Sequence, residues 1–165
     1  MAKRWRVRPN KNLRDNARVV VPIMVQDFLS HKTRVLGHPR LKYELHKMRL
    51  AGKTLRYAME VFEPAFGHEF GSCLEEVKEL LDTMGNIHDC DVNVPRLQAH
   101  LREVRLFNRS LTNTQDKIGT GALVKLIREQ LDLRNSLFDK MSDIVGHWSL
   151  KNFCGRIERS MSVLS

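Results

Sequence analysis

The sequence predicts an all-α protein, an antiparallel bundle of about five long helices. Three observations carry that prediction. Apolar residues recur at three- and four-residue spacing through most of the chain. Convincing strand alternation is absent. The breaks between periodic segments are short, so helices that are neighbours in sequence pack as antiparallel neighbours in space. With 165 residues, 42% of them hydrophobic and 28% charged, the chain can bury a real core.

The first helix is expected from Leu13 to about Leu36, on the recurrence of Leu13, Ala17, Val20, Met24, Phe28 and Val35. Pro22 lies inside it and is expected to kink it or start it afresh. "GHP" at 37–39 reads as a turn. A second helix follows from about Arg40 to Glu63, with Leu41, Leu45, Met48, Leu55, Met59 and Phe62 on its apolar face and Pro64 as its stop. Cys73 to Met84 reads as a third helix, turning Leu74, Val77, Leu80, Leu81 and Met84 inward. "GNIHDCD" reads as punctuation, with Asp89 or Asp91 capping the helix after it. That fourth helix spans Val92 to about Asn108, with Val94, Leu97, Leu101, Val104 and Phe107 inward. "RSLTNTQDKIGTG" is a polar connector. The fifth helix runs from Gly121 to about Trp148, with Leu123, Leu126, Ile127, Leu131, Leu137, Phe138, Met141, Ile144 and Val145 as its apolar set. The last fifteen residues or so add a short terminal helix.

Charge divides the chain unevenly. The net charge is +9. Residues 1–11 form a basic N-terminal tail with five cationic and no acidic side chains, ahead of a helical domain over 12–165. Residues 12–58 carry ten basic and three acidic groups, whereas 59–91 carry one basic and nine acidic groups. A positive segment folded beside a negative one makes an organised field. The longest apolar run, "ARVVVPIMV", is far too short to span a bilayer. The N-terminus lacks the apolar stretch of a secretory signal. The three cysteines, Cys73, Cys90 and Cys154, are scattered and form no CxxC pair. Together these features point to a reduced, cytoplasmic protein with no membrane partner.

The second helix holds the main functional signal. On a helical wheel His46, Arg49, Lys53 and Arg56 fall within roughly 80° of one another, and Lys42 joins them one turn earlier. Like charges at this spacing repel, so the strip is either a solvated face or a binding surface whose repulsion an anion relieves. Lys and Arg supply charge-assisted hydrogen bonds to phosphate oxygens, and a protonated imidazole adds another donor. Arg14, Arg18 and Lys32 line up within roughly 40° on the first helix. The two rows are expected to face each other across a groove for a linear anion, with Arg14 and Arg18 contributing to the site.

His88-Asp89 invites a metal reading, since both residue types ligate divalent ions. The other histidines and acids stand in no ligand pattern, so no metal and no cofactor are expected. "GTG" at 119–121 lacks the rest of a phosphate loop, and no nucleophile–base pattern stands out. Trp5 and Trp148 are isolated, whereas stacking platforms for single-stranded nucleic acid use several aromatics.

"LHKMRLAGKTLRYAMEVFEPAFG" followed by "VKELLDTMGNIHDCDV" resembles the CHAD family, the conserved-histidine α-helical domains. The resemblance covers about residues 41–94. It rests on a His-x-x-Arg-x-x-x-Lys/Arg-x-x-Arg-Tyr helix, here His46, Arg49, Lys53, Arg56 and Tyr57, and on a Gly-x-x-x-Asp-x-Asp-Val element, here Gly85, Asp89, Asp91 and Val92. It implies an α-helical bundle that binds inorganic polyphosphate on a basic surface, without catalysis. Family members commonly look like two such halves in one longer chain. This sequence shows one motif helix and one Gly-x-x-x-Asp element, which implies either a single-half form that self-associates as a homodimer or binding through a smaller surface. Polyphosphate binding is therefore the first reading. Nucleic-acid binding is the second, on the basic tail and overall charge, and a metal-dependent phosphohydrolase the third.

Overall fold

The structure, a computed structural model, describes residues 7–38 and 40–162. The first six residues of the basic tail, Trp5 among them, and Pro39 of the "GHP" turn lie outside that range. Six α-helices are described: α1 (Leu13–Ser30), α2 (Lys32–Gly37), α3 (Lys42–Phe62), α4 (His68–Ser110), α5 (Gly121–His147) and α6 (Gly155–Ser162). Short 3-10 turns occupy Glu63–Ala65 and Thr114–Asp116, and a π-helical turn occupies Leu150–Cys154. No strand occurs among the described residues, so the protein is all-α as the sequence predicts.

Each helix forms for local reasons and is held by its apolar face. Asn12 caps α1, its Oδ1 accepting from the Asp15 amide at 2.8 Å. Buried Asn16 ties the end of the basic tail to that helix: it accepts from the Arg8 amide at 2.7 Å and donates to the Arg8 carbonyl at 3.1 Å. Pro22 does not start the helix afresh: α1 runs through it. Buried Val20, Val21, Met24 and Val25 bracket it and hold the helix against α3, and the break comes at His31 instead. In α3, Leu45, Met48, Leu55, Met59 and Phe62 are buried as the wheel predicts, while Leu41 is exposed.

The packing order is α1 on α3, α3 on α4 and α4 on α5, with α6 closing over α1 and α4. One large cluster, from Ala17 to Met161, forms the core. Trp148 belongs to it: the indole stacks on Phe153 at 3.7 Å between centroids and lies 6.1 Å from the Phe28 ring. It is therefore a core aromatic and not a platform for bases.

The main departure from the sequence reading is α4, one continuous helix of 43 residues where two helices and a turn are expected. "GNIHDCD" is helical, so neither Asp89 nor Asp91 is an N-cap. A glycine within a helix costs about 1 kcal/mol against alanine. That local penalty is outweighed because Leu80, Leu81, Met84, Ile87, Cys90 and Val94 keep helical spacing straight through the segment and are all buried. Pro95 also lies deep inside α4.

Past about residue 92, α4 and α5 leave the core and continue as a two-helix arm. Buried Val94, Leu101 and Ile127 lie outside the main cluster. Beyond them Asn108 clasps the connector, donating to the Ile118 carbonyl and accepting from its amide, both at 2.8 Å. Phe107, Leu126 and Leu131, expected inward, are 52%, 41% and 40% exposed. On the helical wheel Leu126 and Leu131 fall on opposite flanks of buried Ile127, and Phe107 points about 120° away from buried Leu101, so the two helices of the arm do not enclose them.

Candidate functional site

The predicted strip on α3 lies against α4 and opens into two adjoining grooves. In the first, of about 260 Å³, Lys42, His46 and Arg49 face Met84, His88 and Asp91. In the second, of about 450 Å³, Arg49, Lys53 and Arg56 face Asp82, Gly85, Asn86 and Asp89. Arg49 lines both. The helices are antiparallel, so the strip reads Arg56, Lys53, Arg49, His46, Lys42 as α4 runs from Asp82 to Asp91.

Two glycines shape this junction in opposite ways. A Cβ on Gly52 would stand 2.7 Å from Leu81 Cδ2 and 3.1 Å from Phe28 Cε2. Gly52 thus lets α1, α3 and α4 meet closely. A Cβ on Gly85 would have nothing within 4 Å. Small Gly85 beside Asn86 leaves the space in front of the strip open.

The charges differ in how they are satisfied. Arg49 and Lys53 are half-buried and make no ion pair or side-chain hydrogen bond among the described residues. Arg49 Nε is shielded from solvent with no acceptor, as is Arg56 Nε, which Glu60 Oε1 approaches at 3.5 Å. A buried N–H left unpaired costs about 1–3 kcal/mol, so the groove holds its guanidinium groups incompletely satisfied. Asp82 and Asp89 share the second groove, so its fixed charges are three positive and two negative. His46 faces His88 across the first groove, with ring centroids 6.0 Å apart.

Lys42 is different. Its Nζ lies 3.1 Å from Asp91 Oδ1, and Arg134 Nε lies 2.8 Å from the same oxygen. Asp91, 8% exposed at its side chain, is therefore the knot joining α3, α4 and α5. On α4 the acid that pairs with the strip is Asp91.

The structure does not bring Arg14 and Arg18 to the strip, and the expected facing rows do not form. Neither lines the two grooves. Arg14 Nε donates to the Ala65 carbonyl at 2.7 Å, and Arg18 donates to the Met161 carbonyl at 2.8 Å. Lys32 donates to the Gly146 and Trp148 carbonyls, each at 2.8 Å. The row instead satisfies carbonyls at the C-terminal ends of other elements, where the helix dipole favours cations. A wheel shows that residues share a face; it does not show which neighbour that face meets.

Among the described residues no group of three or more His, Cys, Asp or Glu side chains could hold a metal ion. The cysteines are free and buried. Burial pushes all three thiols up, Cys154 to about 11 with Glu158 adding to the effect. They remain protonated at neutral pH and are poor nucleophiles. No helix of the described residues is long and apolar enough to cross a membrane.

Comparison with known families completes the assignment. The family model for the CHAD domain matches residues 2–98, a span that takes in α1, α3 and the grooved part of α4. This chain belongs to the CHAD family. No curated protein and no solved structure matches it. CHAD domains are associated in general with polyphosphate binding and are generally binding domains rather than enzymes. The matched span contains the whole strip and ends before the outer part of the arm.

Proposed function

We propose that this protein binds inorganic polyphosphate along the α3–α4 groove and does so without catalysis. His46, Arg49, Lys53 and Arg56 make the principal contacts, and Lys42 joins when Asp91 releases it. The observation that supports this most is the state of Arg49 and Lys53: two charges held half-buried in a groove with no carboxylate partner. A linear polyphosphate carries negative charge on every phosphate and offers acceptors along its length. From Lys42 to Arg56 the strip is about 21 Å long at 1.5 Å rise per residue, a row suited to an extended anion. His46 and His88 face each other across the first groove and place ring N–H donors beside the row of cations.

A salt-titrated competition between long-chain polyphosphate, duplex DNA and single-stranded RNA tests the reading. Polyphosphate is expected to displace both nucleic acids at equal phosphate concentration, with affinity falling steeply as salt rises. Nucleic acid displacing polyphosphate would transfer the groove to the second reading.

A further inference from the structure

Along α4, past the end of the groove, a second cationic row begins. Arg102, Arg105 and Arg109 are exposed and make no ion pair or side-chain hydrogen bond among the described residues. On the helical wheel all three lie within about 40° of the direction of Asp91, the residue that closes the first groove. Arg102 and Arg105 line a further groove of about 410 Å³ between the two helices of the arm, beside Gln98, Leu101, Val124 and Ile127. The row lies beyond the residues that match the CHAD domain.

We propose that these arginines are a second docking row for the same polyphosphate chain, so that the protein discriminates by chain length. The inference rests on the polyphosphate reading of the α3–α4 groove. The two sites are separated, not continuous: Lys42 is neutralised by Asp91 between them, and His88 to Arg102 is about 21 Å along the helix. A short anion fills one site. A chain spanning from the level of Asp82 to Arg109, about 40 Å at 1.5 Å per residue, fills both. Its second contact is then intramolecular and gains from effective concentration. Three unpaired guanidinium groups in one line suit this role because each can take phosphate oxygens without first giving up a carboxylate.

The experiment uses the full chain with Arg102, Arg105 and Arg109 all changed to Gln. Tripolyphosphate and long-chain polyphosphate are titrated into it and into the unchanged protein by calorimetry. A matched control carries Arg34→Gln, Lys151→Gln and Arg159→Gln, which lowers charge equally away from the arm. Long-chain affinity is expected to fall about tenfold or more in the arm variant, with the logarithmic salt slope shallower by about two. Tripolyphosphate affinity is expected to match that of the control. Equal losses for both anions, or a long-chain loss no greater than the control's, would overturn the proposal while leaving the groove reading in place. An unchanged protein that binds neither anion would overturn the groove reading itself.

Discussion

Lys42 holds Asp91 twice, its ammonium lying 3.1 Å from the carboxylate Oδ1 and 3.3 Å from the main-chain carbonyl. Pro95 is the reason the second acceptor exists. Four residues on from Asp91, it has no N–H to donate to that carbonyl, and α4 continues through it regardless. A defect in one helix thereby becomes the attachment point for its neighbour, and the carboxylate carries Arg134 of α5 as well.

Replacing Asp91 is expected to separate stability from binding. Asp91→Ala removes the carboxylate, 8% exposed, that Arg134 Nε and Lys42 Nζ both meet. Breaking such a pair should cost about 3 kcal/mol, read as a lower midpoint in urea unfolding. It also frees the Lys42 ammonium beside the groove, so the folded variant should bind polyphosphate more tightly. Weaker binding by fully folded protein would contradict this arrangement.

The acids inside the second groove test the sign of its ligand. Asp89→Asn, alone or with Asp82→Asn, removes negative charge facing Arg49, Lys53 and Arg56. Polyphosphate affinity should rise several-fold for each change, at about 0.5–1 kcal/mol for an exposed charge. A metal-dependent phosphohydrolase would behave oppositely. Loss of binding on Asp89→Asn, or phosphate release in Mg²⁺ or Mn²⁺ that this change abolishes, would favour that chemistry.

The two glycines of the junction should respond in opposite directions. Gly52→Ala forces its methyl against Leu81 and the immobile Phe28 ring. Overpacking costs about 1–3 kcal/mol, more than the helix-propensity gain of about 1 kcal/mol offsets, so thermal stability should fall. Gly85→Ala meets open space and should stabilise by about 0.5–1 kcal/mol. Stabilisation by Gly52→Ala would show that the helices are not in close contact there.

The arm predicts self-association. Leu126 and Leu133 are 41% and 47% exposed on the arm and, seven residues apart, share the flank of α5 opposite Val124, which lines the groove with Arg102 and Arg105. Apolar side chains at helical spacing with no cover suit a second copy of the chain. Light scattering at micromolar concentration should give twice the 19.2 kDa chain mass, and Leu126→Glu with Leu133→Glu should return a monomer. A monomeric unchanged protein would contradict it.

The apolar pattern made α1, α3 and most of the core legible, because burial follows periodicity wherever a helix has neighbours on its inner face. The strip from Lys42 to Arg56 was legible for the same reason, since its five members share one face of one helix. What depends on pairing between helices was not. Gly85 and Asn86 carry a local turn signal that buried Met84 and Ile87 overrule. Arg14 and Arg18 look like a second wall until their carbonyl partners, residues 51 and 143 positions away, are known. The row at Arg102, Arg105 and Arg109 had a readable signal, the same three- and four-residue spacing as the strip, but it falls outside the resembling segment.

The central claim is that the α3 strip is a site and not a charged face. The direct measurement is long-chain polyphosphate affinity at fixed salt for Arg49→Ala, Lys53→Ala and Arg56→Ala combined, against the matched control at Arg34, Lys151 and Arg159. Three lost charge-assisted contacts should weaken binding by about a hundredfold or more, with thermal unfolding confirming that the fold survives. The control should lose only a few-fold. Equal losses from the two triples would show that net charge, and not this groove, holds the anion.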